Sequence, residues 1–577
     1  MFTAPSARPR KGTKRSLLAL AFALAAACQV TPAFAQTSPP APQPGTPVWL
    51  EDFSTGTPTA SLAGPGPAIA LSAYHTDASN PLGSWIYYSD PSWTPTANEC
   101  NGWILNSNST IPPNAQDAGC GIIAGETKNG TDQNAWFFLK AMADVLGAER
   151  GLAPGKNNVL ASMTNRSDNG LNPGTDAIQL RANSVTEVTE GHYYIASAYF
   201  AAVHCHSENT SWTDPLEFLT LTVSGAAVSS ALGVDPCTAG EARDVGAGNT
   251  EVIVHVAQVD SSAWLAPTGA TEVGLQVSNT IRQTVGNDQA IDLLQIIDVT
   301  PQLSESFDEA DVPVNGTTTL TFTITNTTDY LAKPGWSFDE TLPPGLTIVG
   351  TPTTTCPSGN ITSTGPTSFN VEGDLEAGAA NSSCTVSVEV TSTAPGTFIN
   401  DPNAPTTLDN VTALPGLLNP PALARVRFAG ADMVAAEVSP PTPSSPGSSD
   451  MTVVTSCIND GPLDAANPTC DVTVTGGTNQ NTTCTPSPLP ASLTVGSSIT
   501  CTTTYTQGTG PVTIETDAGS GTFDPNGGNN QNLIRQPAPF SSTPTAAVPT
   551  GEALPWLLLL LLTATGWFAL ARRNNRR

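Results

Sequence analysis

Positive charge is what this chain has least of. Its 577 residues carry 21 Lys and Arg against 49 Asp and Glu, and nine of those cations are Arg8, Arg10, Lys11, Lys14, Arg15, Arg572, Arg573, Arg576 and Arg577. Residues 36–571 thus hold 12 cations and 49 acids, a formal charge of 12 − 49 = −37. So acidic a body has no basic patch for nucleic acid or an anionic membrane surface, which excludes nucleic acid as a partner. Charged residues of both signs make up only 12% of the chain, and Thr, Ser, Asn, Gly and Pro fill their place. That composition points to many short strands joined by turns. Catalytic motifs are missing as well: there is no Gly-x-Ser-x-Gly elbow, no His-Glu-x-x-His and no phosphate loop. A glycosidase needs only two carboxylates flanking a cleft, and an abundance of Asp and Glu does not by itself indicate one. The expectation is a protein that is not an enzyme.

Long apolar runs occur only near the two ends. Five cations between Arg8 and Arg15 precede an apolar stretch, Leu17 to Ala27, too short to span a bilayer. Ala33-Phe34-Ala35 then offers small residues before Gln36, so residues 1–35 read as a secretory signal peptide. Cys28 raises the alternative of a lipoprotein signal, although Ala25-Ala26-Ala27 lacks the Leu usual three places upstream. At the other end residues 554–571 are eighteen residues without charge, within the ~17–25 that cross a bilayer as a helix. Arg572, Arg573, Arg576 and Arg577 follow, and basic flanks stay cytoplasmic. A buried core helix would show a polar stripe, and none is present. The expectation is a single transmembrane helix at 554–571, with the body outside the cytoplasm.

Val548, Pro549 and Thr550, then Trp556, the Leu-rich helix and the basic tail resemble the tripartite C-terminal sorting signals of bacterial surface proteins of the IPTL/PEP type. Gly551 stands where that family has Leu. The resemblance implies an exosortase-like membrane enzyme as partner, and anchoring in the cell envelope or display at the cell surface.

Eleven cysteines become ten once Cys28 leaves with the signal peptide. An even number in an exported chain points to disulfides. Proximity suggests Cys100–Cys120, Cys205–Cys237 and Cys356–Cys384. Cys457, Cys470, Cys484 and Cys501 allow three connectivities, of which Cys457–Cys470 with Cys484–Cys501 is preferred. A four-cysteine zinc site would need CxxC-like pairs, which are absent.

The body divides by composition. Residues 36–47 are a Pro-rich linker. A first domain, 48–303, holds strand candidates at 192–200, 216–223, 252–256 and 273–277, and one internal helix from Ala135 to Leu146. Its closing phrase, Gly286-Asn287-Asp288 to Ile297, is similar to the last strand of jelly-roll β-sandwich modules of secreted proteins. In 304–410, Thr alternates with Leu320, Phe322 and Ile324, the period of a half-buried strand. That strand, Asp339-Glu340-Thr341-Leu342-Pro343-Pro344-Gly345 and Pro395-Gly396-Thr397 to Asn400 resemble immunoglobulin-like repeats of unknown function found in tandem on bacterial surface proteins. After a linker at 411–430, residues 431–532 repeat the theme, ending on Asp524-Pro525-Asn526-Gly527-Gly528-Asn529-Asn530, and 533–547 form a spacer to the sorting signal at 548–577. The expected fold class is all-β: a jelly-roll-like sandwich, two immunoglobulin-like sandwiches and one C-terminal transmembrane helix.

Candidate sites are few. Asp288 with Asp292, and Asp524 with Asn526, offer oxygen ligands near Gly-containing turns, as structural calcium requires; such a turn also arises from Asn and Asp capping the backbone. His204-Cys205-His206 places two imidazoles on one face of a strand, as a metal site would need. Trp85, Tyr87, Tyr88, Trp93 and Trp103 suit stacking on the sugar rings of an extracellular glycan, or equally the packing of a core. The functional expectation is an exported envelope protein with a structural, adhesive or binding role. The alternative is a glycan-binding or glycan-hydrolysing protein acting through residues 48–303.

Overall fold

The computed structural model describes residues 41–58, 66–93, 100–110, 112, 122–128, 131–163, 178–229, 233–245, 252–281, 286–401, 412–413, 415–418 and 422–539. The signal peptide, Cys28, Cys120 and the sorting signal with its expected helix lie outside the described residues. Among the described residues no helix is long and apolar enough to cross a membrane. The chain forms two compact units that divide between Phe428 and Ala429. Both are built from antiparallel sheets, so the architecture is all-β and sandwich-like.

In the first unit a large sheet runs Glu241–Asp244, Ile253–Asp260, Tyr193–Val203, Asp288–Asp298, Val159–Ser162, Trp103–Leu105, Ile69–Ala70. A second sheet runs Ala226–Ala227, Glu217–Val223, Glu272–Asn279, Ile178–Glu187. Phe200, Ile291, Leu294 and Ile296 of one meet Leu219, Leu221, Val273, Leu275 and Val277 of the other in a common core. The helix expected in this region runs Ala135–Glu149 and covers the opposite face of the large sheet, with Leu139, Met142 and Leu146 packed near Val203, Val254 and Ala290. That third layer explains why Tyr193–Val203 is buried at nearly every position rather than at every second one.

The same unit continues into a second sandwich. Thr317–Thr325 pairs with Gln302–Phe307 and Ser383–Thr391, and across the core lies Lys333–Thr341 with Ser368–Leu375. Leu320, Phe322 and Ile324 point inward against Trp336, Phe338 and Phe369, and the intervening Thr321 and Thr323 alternate onto the other face of the strand. Residues 411–430, read from composition as a linker, carry strands instead: Thr412–Ala413 pairs with Lys333–Thr341, and Ala424–Ala429 with Gly396–Asn400. The reason is again a period of two, for Ala424, Val426 and Phe428 are buried and alternate with the half-buried Arg425 and Arg427.

In the second unit Met433–Pro443, Asp450–Asn459, Ser498–Gln507 and Gly477–Thr485 form one sheet, and Thr469–Thr475, Val512–Gly519 and Gln531–Gln536 the other. Pro440, Pro441 and Pro443 sit on an edge strand with two register shifts, where missing N–H donors are tolerated. Its apolar core is small, built on Met433, Val453, Ile499, Tyr505 and Ile514, and two disulfides supplement it. The described bonds are Cys205–Cys237, Cys356–Cys384, Cys457–Cys470 and Cys484–Cys501, the pairs that sequence proximity gives. Cys457–Cys470 ties the two sheets of the second unit, and Cys484 stands directly opposite Cys501 on neighbouring strands.

Candidate functional site

Asp288 and Asp292 lie on one strand, four residues apart and on the same face, which separates them by about 13 Å. Each has its own protein partner. The Asp288 carboxylate is 2.7 Å from His204 Nδ1, both groups are buried, and the imidazole sits between Phe138 and Trp212. Asp292 accepts from Asn157 Nδ2 at 2.8 Å and from its neighbour Leu293 N, with Arg150 Nη1 at 3.7 Å. Burial pushes the Asp292 carboxyl up to about 7, against the pull of Asn157 and Arg150. Asp524 accepts from the backbone N–H of Met433 and of Asn526, each at 2.8 Å, so it caps a turn whose Asn526 carbonyl receives Asn529 N. The structure therefore holds Asp288 and Asp292 on separate partners, and it uses Asp524 to cap backbone N–H groups, that of Asn526 among them.

The histidine pair is also divided. His204 is buried on Asp288, whereas His206 is exposed with Nδ1 2.9 Å from the Trp212 carbonyl. Among the described residues, the groups of three potential ligands are Cys205–Glu208–His255 and Cys205–Asp214–Cys237. Both use the Cys205 sulfur, which is bonded to Cys237 and so is not a thiolate ligand. Of the five aromatics, Tyr87, Trp93 and Trp103 are buried, and Trp85 leans on Trp49 and Tyr87. Tyr88 alone is well exposed, with Arg181 4.5 Å from its ring centre. They form packing more than a platform.

A different feature of the first sandwich has the shape of a site. The end of the helix, strand Tyr193–Val203 and strands Glu241–Asp244 and Ile253–Asp260 enclose an open groove of about 320 Å³. Its lining includes Glu149, Tyr199, Glu241, Arg243 and Gln258. Arg243 bridges Glu149 at 3.1 Å and Glu241 at 2.6 Å, and the Tyr199 hydroxyl donates to Gln258 Oε1 at 3.1 Å. Burial, with Glu149 and Asp260 nearby, holds the Tyr199 phenol above its ordinary range, so it stays a neutral donor. One aromatic wall with carboxylate, guanidinium and amide groups can hold a small polyhydroxylated molecule by stacking and hydrogen bonds.

In the second sandwich, Asn400 Nδ2 donates to Glu305 Oε2 at 2.6 Å and to Glu340 Oε1 at 3.1 Å. All three residues are buried. Burial pushes the Glu305 carboxyl up to about 8 despite bonds from Ala424 N and Asn400.

Residues 301–416 match the family model of a domain of unknown function (DUF7933). That segment holds most of the second sandwich, including the Glu305–Asn400–Glu340 group, and stops short of its strand Ala424–Ala429. No curated protein matches the chain. Similar solved structures include the adhesin InvE of Yersinia pseudotuberculosis, 11% identical over 41% of this chain and 60% of that one, with a TM-score of 0.14. Others are the Escherichia coli adhesin FdeC (10% identical, 61% and 98% covered, TM-score 0.18) and BcpA, the major pilin subunit of Bacillus cereus (8%, 60% and 96%, 0.18). The chain thus spans about 60% of the length of InvE. At such scores the likeness fixes neither fold nor function.

Neither the groove nor the Glu305 group was visible as a motif. The groove draws on five separate elements, the short helix Pro236–Ala239 among them, and Glu305, Glu340 and Asn400 lie 35 and 60 residues apart in the chain. The usable signal was the odd acid in an apolar alternation. Glu305 falls at an inward position of Gln302–Phe307, between the buried Leu303 and Phe307.

Proposed function

We propose that this chain is an exported protein of a bacterial cell envelope, in which a jelly-roll-like sandwich is carried on two immunoglobulin-like modules. In this reading its work outside the cell is structural or adhesive, without catalysis, and residues 548–577 deliver it to an exosortase-like enzyme and anchor it through the helix at 554–571. The observation that carries export is the distribution of disulfides. Each of the three sandwiches contains at least one, and such bonds persist in oxidising compartments. The test is fractionation of cells carrying the tagged chain, with the Arg572–Arg577 tail intact or deleted, alongside non-reducing gels. Envelope location with bridged cysteines, changed by the deletion, is the expected result. Unchanged location and processing would remove the sorting reading, and free thiols the export reading.

The groove beside Tyr199 favours a second reading, in which the first sandwich binds an extracellular glycan. A glycan array probed with the chain and with Tyr199→Ala, with and without calcium, tests it. Binding that the substitution abolishes supports the reading, and no binding to any glycan rejects it.

A further inference from the structure

The two sandwiches of the first compact unit meet through more than a tether. Strand Asp288–Asp298 passes into Gln302–Phe307 through Val299, Thr300 and Pro301, all buried. Leu418 then closes on this crossing, donating its N–H to the Pro301 carbonyl at 2.9 Å and accepting from Leu303 N at 3.1 Å. The loop after Thr325 reaches back to the first sandwich: Thr327 Oγ1 donates to the Val299 carbonyl at 3.2 Å, and Thr328 N to that of Gln43 at 3.0 Å. Leu331 packs against Tyr193, Ile195 and Val299. The Tyr193 hydroxyl in turn donates to the Pro334 carbonyl at 2.5 Å.

Two residues give this contact a fixed form. Gly416 donates its N–H to the Gly191 carbonyl at 2.7 Å, with φ +91°. A Cβ there would lie 2.8 Å from Trp336 Cβ and 2.9 Å from Tyr193 Cε2, so both sandwiches close on the same bare backbone. The second residue is Lys333, whose side chain is 0% exposed. Its Nζ donates to Asn326 Oδ1 at 2.8 Å and Thr327 Oγ1 at 3.1 Å, and pairs with the Asp329 carboxylate. A buried ammonium is tolerated only when its hydrogens are met in this way. The loop that supplies those oxygens is the one that carries Thr327, Thr328 and Leu331 to the first sandwich.

We propose that this junction is a rigid, preassembled joint that fixes the direction in which the second sandwich presents the first, with Gly416 as its seat and Lys333 as its pin. The joint is a positioning device, and it holds wherever the protein resides. Its test is a distance distribution measured by double electron–electron resonance in the full chain. Spin labels are carried on unnatural amino acids at the exposed Ile86 and Ile399. The unsubstituted chain is expected to give one narrow distance. Lys333→Met and Gly416→Val should broaden it severalfold, and Tyr193→Phe, which removes only a hydroxyl, should broaden it less. A broad distribution in the unsubstituted chain overturns the joint, even if the larger substitutions fail to fold. An equally narrow distribution in folded Lys333→Met and Gly416→Val rejects their roles as pin and seat.

Discussion

Glu305→Gln should make the second sandwich less sensitive to alkali. Glu305 is 5% exposed, and its carboxylate receives Asn400 Nδ2 on one oxygen and Ala424 N on the other. Desolvation outweighs both bonds and raises the pKa from 4.5 to about 8, with Asp401 adding to the rise. The folded state therefore holds a proton that the unfolded chain releases. A raised folded pKa means that the stabilisation is complete below pH 4.5 and is lost as pH rises to about 8. At 1.36 kcal/mol per unit, the full loss is about 5 kcal/mol, of which roughly 3–4 falls between pH 5 and 8. Gln keeps the acceptor for Asn400 but turns an amide toward Ala424 N, so the variant starts about 1 kcal/mol less stable in acid. Its stability curve should then cross that of the original chain as pH rises. Urea unfolding followed by tryptophan fluorescence, read as the difference between the two chains at each pH, removes the other titrating groups from the comparison. Parallel curves from pH 5 to 9 would refute the assignment.

Removing Cys356–Cys384 with two Ala substitutions frees a loop closed over 28 residues, and should cost about 3–4 kcal/mol by the chain-entropy estimate, read from denaturant midpoints. Leu320→Ala, in a fully buried position, should cost ~2–5 kcal/mol, while Val438→Ser at a 58% exposed position should stay within about 0.5 kcal/mol in the same assay. Asp524→Ala removes an acceptor for two backbone N–H groups and should lower stability by about 1–2 kcal/mol, equally in calcium and in chelator. A calorimetric loss that appears only in calcium would instead make Asp524 an ion ligand.

Much of the fold was legible because it follows a period of two. Leu320, Phe322 and Ile324 alternate with Thr in the sequence and are the core in the structure. Where both faces of a strand are covered, that signal disappears. Tyr193–Val203 reads as a plain apolar run because the Ala135–Glu149 helix covers its outer face. Ala424–Ala429 is hidden for another reason: Pro and Ala in the preceding residues give the whole stretch the composition of a linker, although Val426 and Phe428 complete the second sandwich. Side-chain partners were less legible still. His204 reaches Asp288 across 84 residues, and Asn157 reaches Asp292 across 135, so no local spacing announces either pair.

The scarcity of cations does account for the way those acids are held. With 12 Lys and Arg for 49 acids between residues 36 and 571, few buried carboxylates can have an ammonium or guanidinium of their own. Asn side chains take that place repeatedly. Asn157 serves Asp292, Asn279 serves Glu217 at 2.7 Å, and Asn400 serves Glu305 and Glu340. An amide satisfies a lone pair but brings no charge, so it offsets only part of the desolvation of a buried carboxylate. The carboxyl groups respond accordingly: Asp292 and Glu305 are raised to about 7 and 8, and Glu217 is raised well above its ordinary range. Less buried acids with several donors go the other way, as at Asp52 with Ser54 and Arg150, and at Asp298 with His192 and Thr300, whereas Arg150 at 3.7 Å does not outweigh the desolvation of Asp292. The net charge read from composition therefore overstates the folded chain's charge near neutral pH by what burial adds at Asp292, Glu305 and Glu217. Potentiometric titration of the folded chain should find this uptake above pH 6, where free carboxyl groups have already ionised.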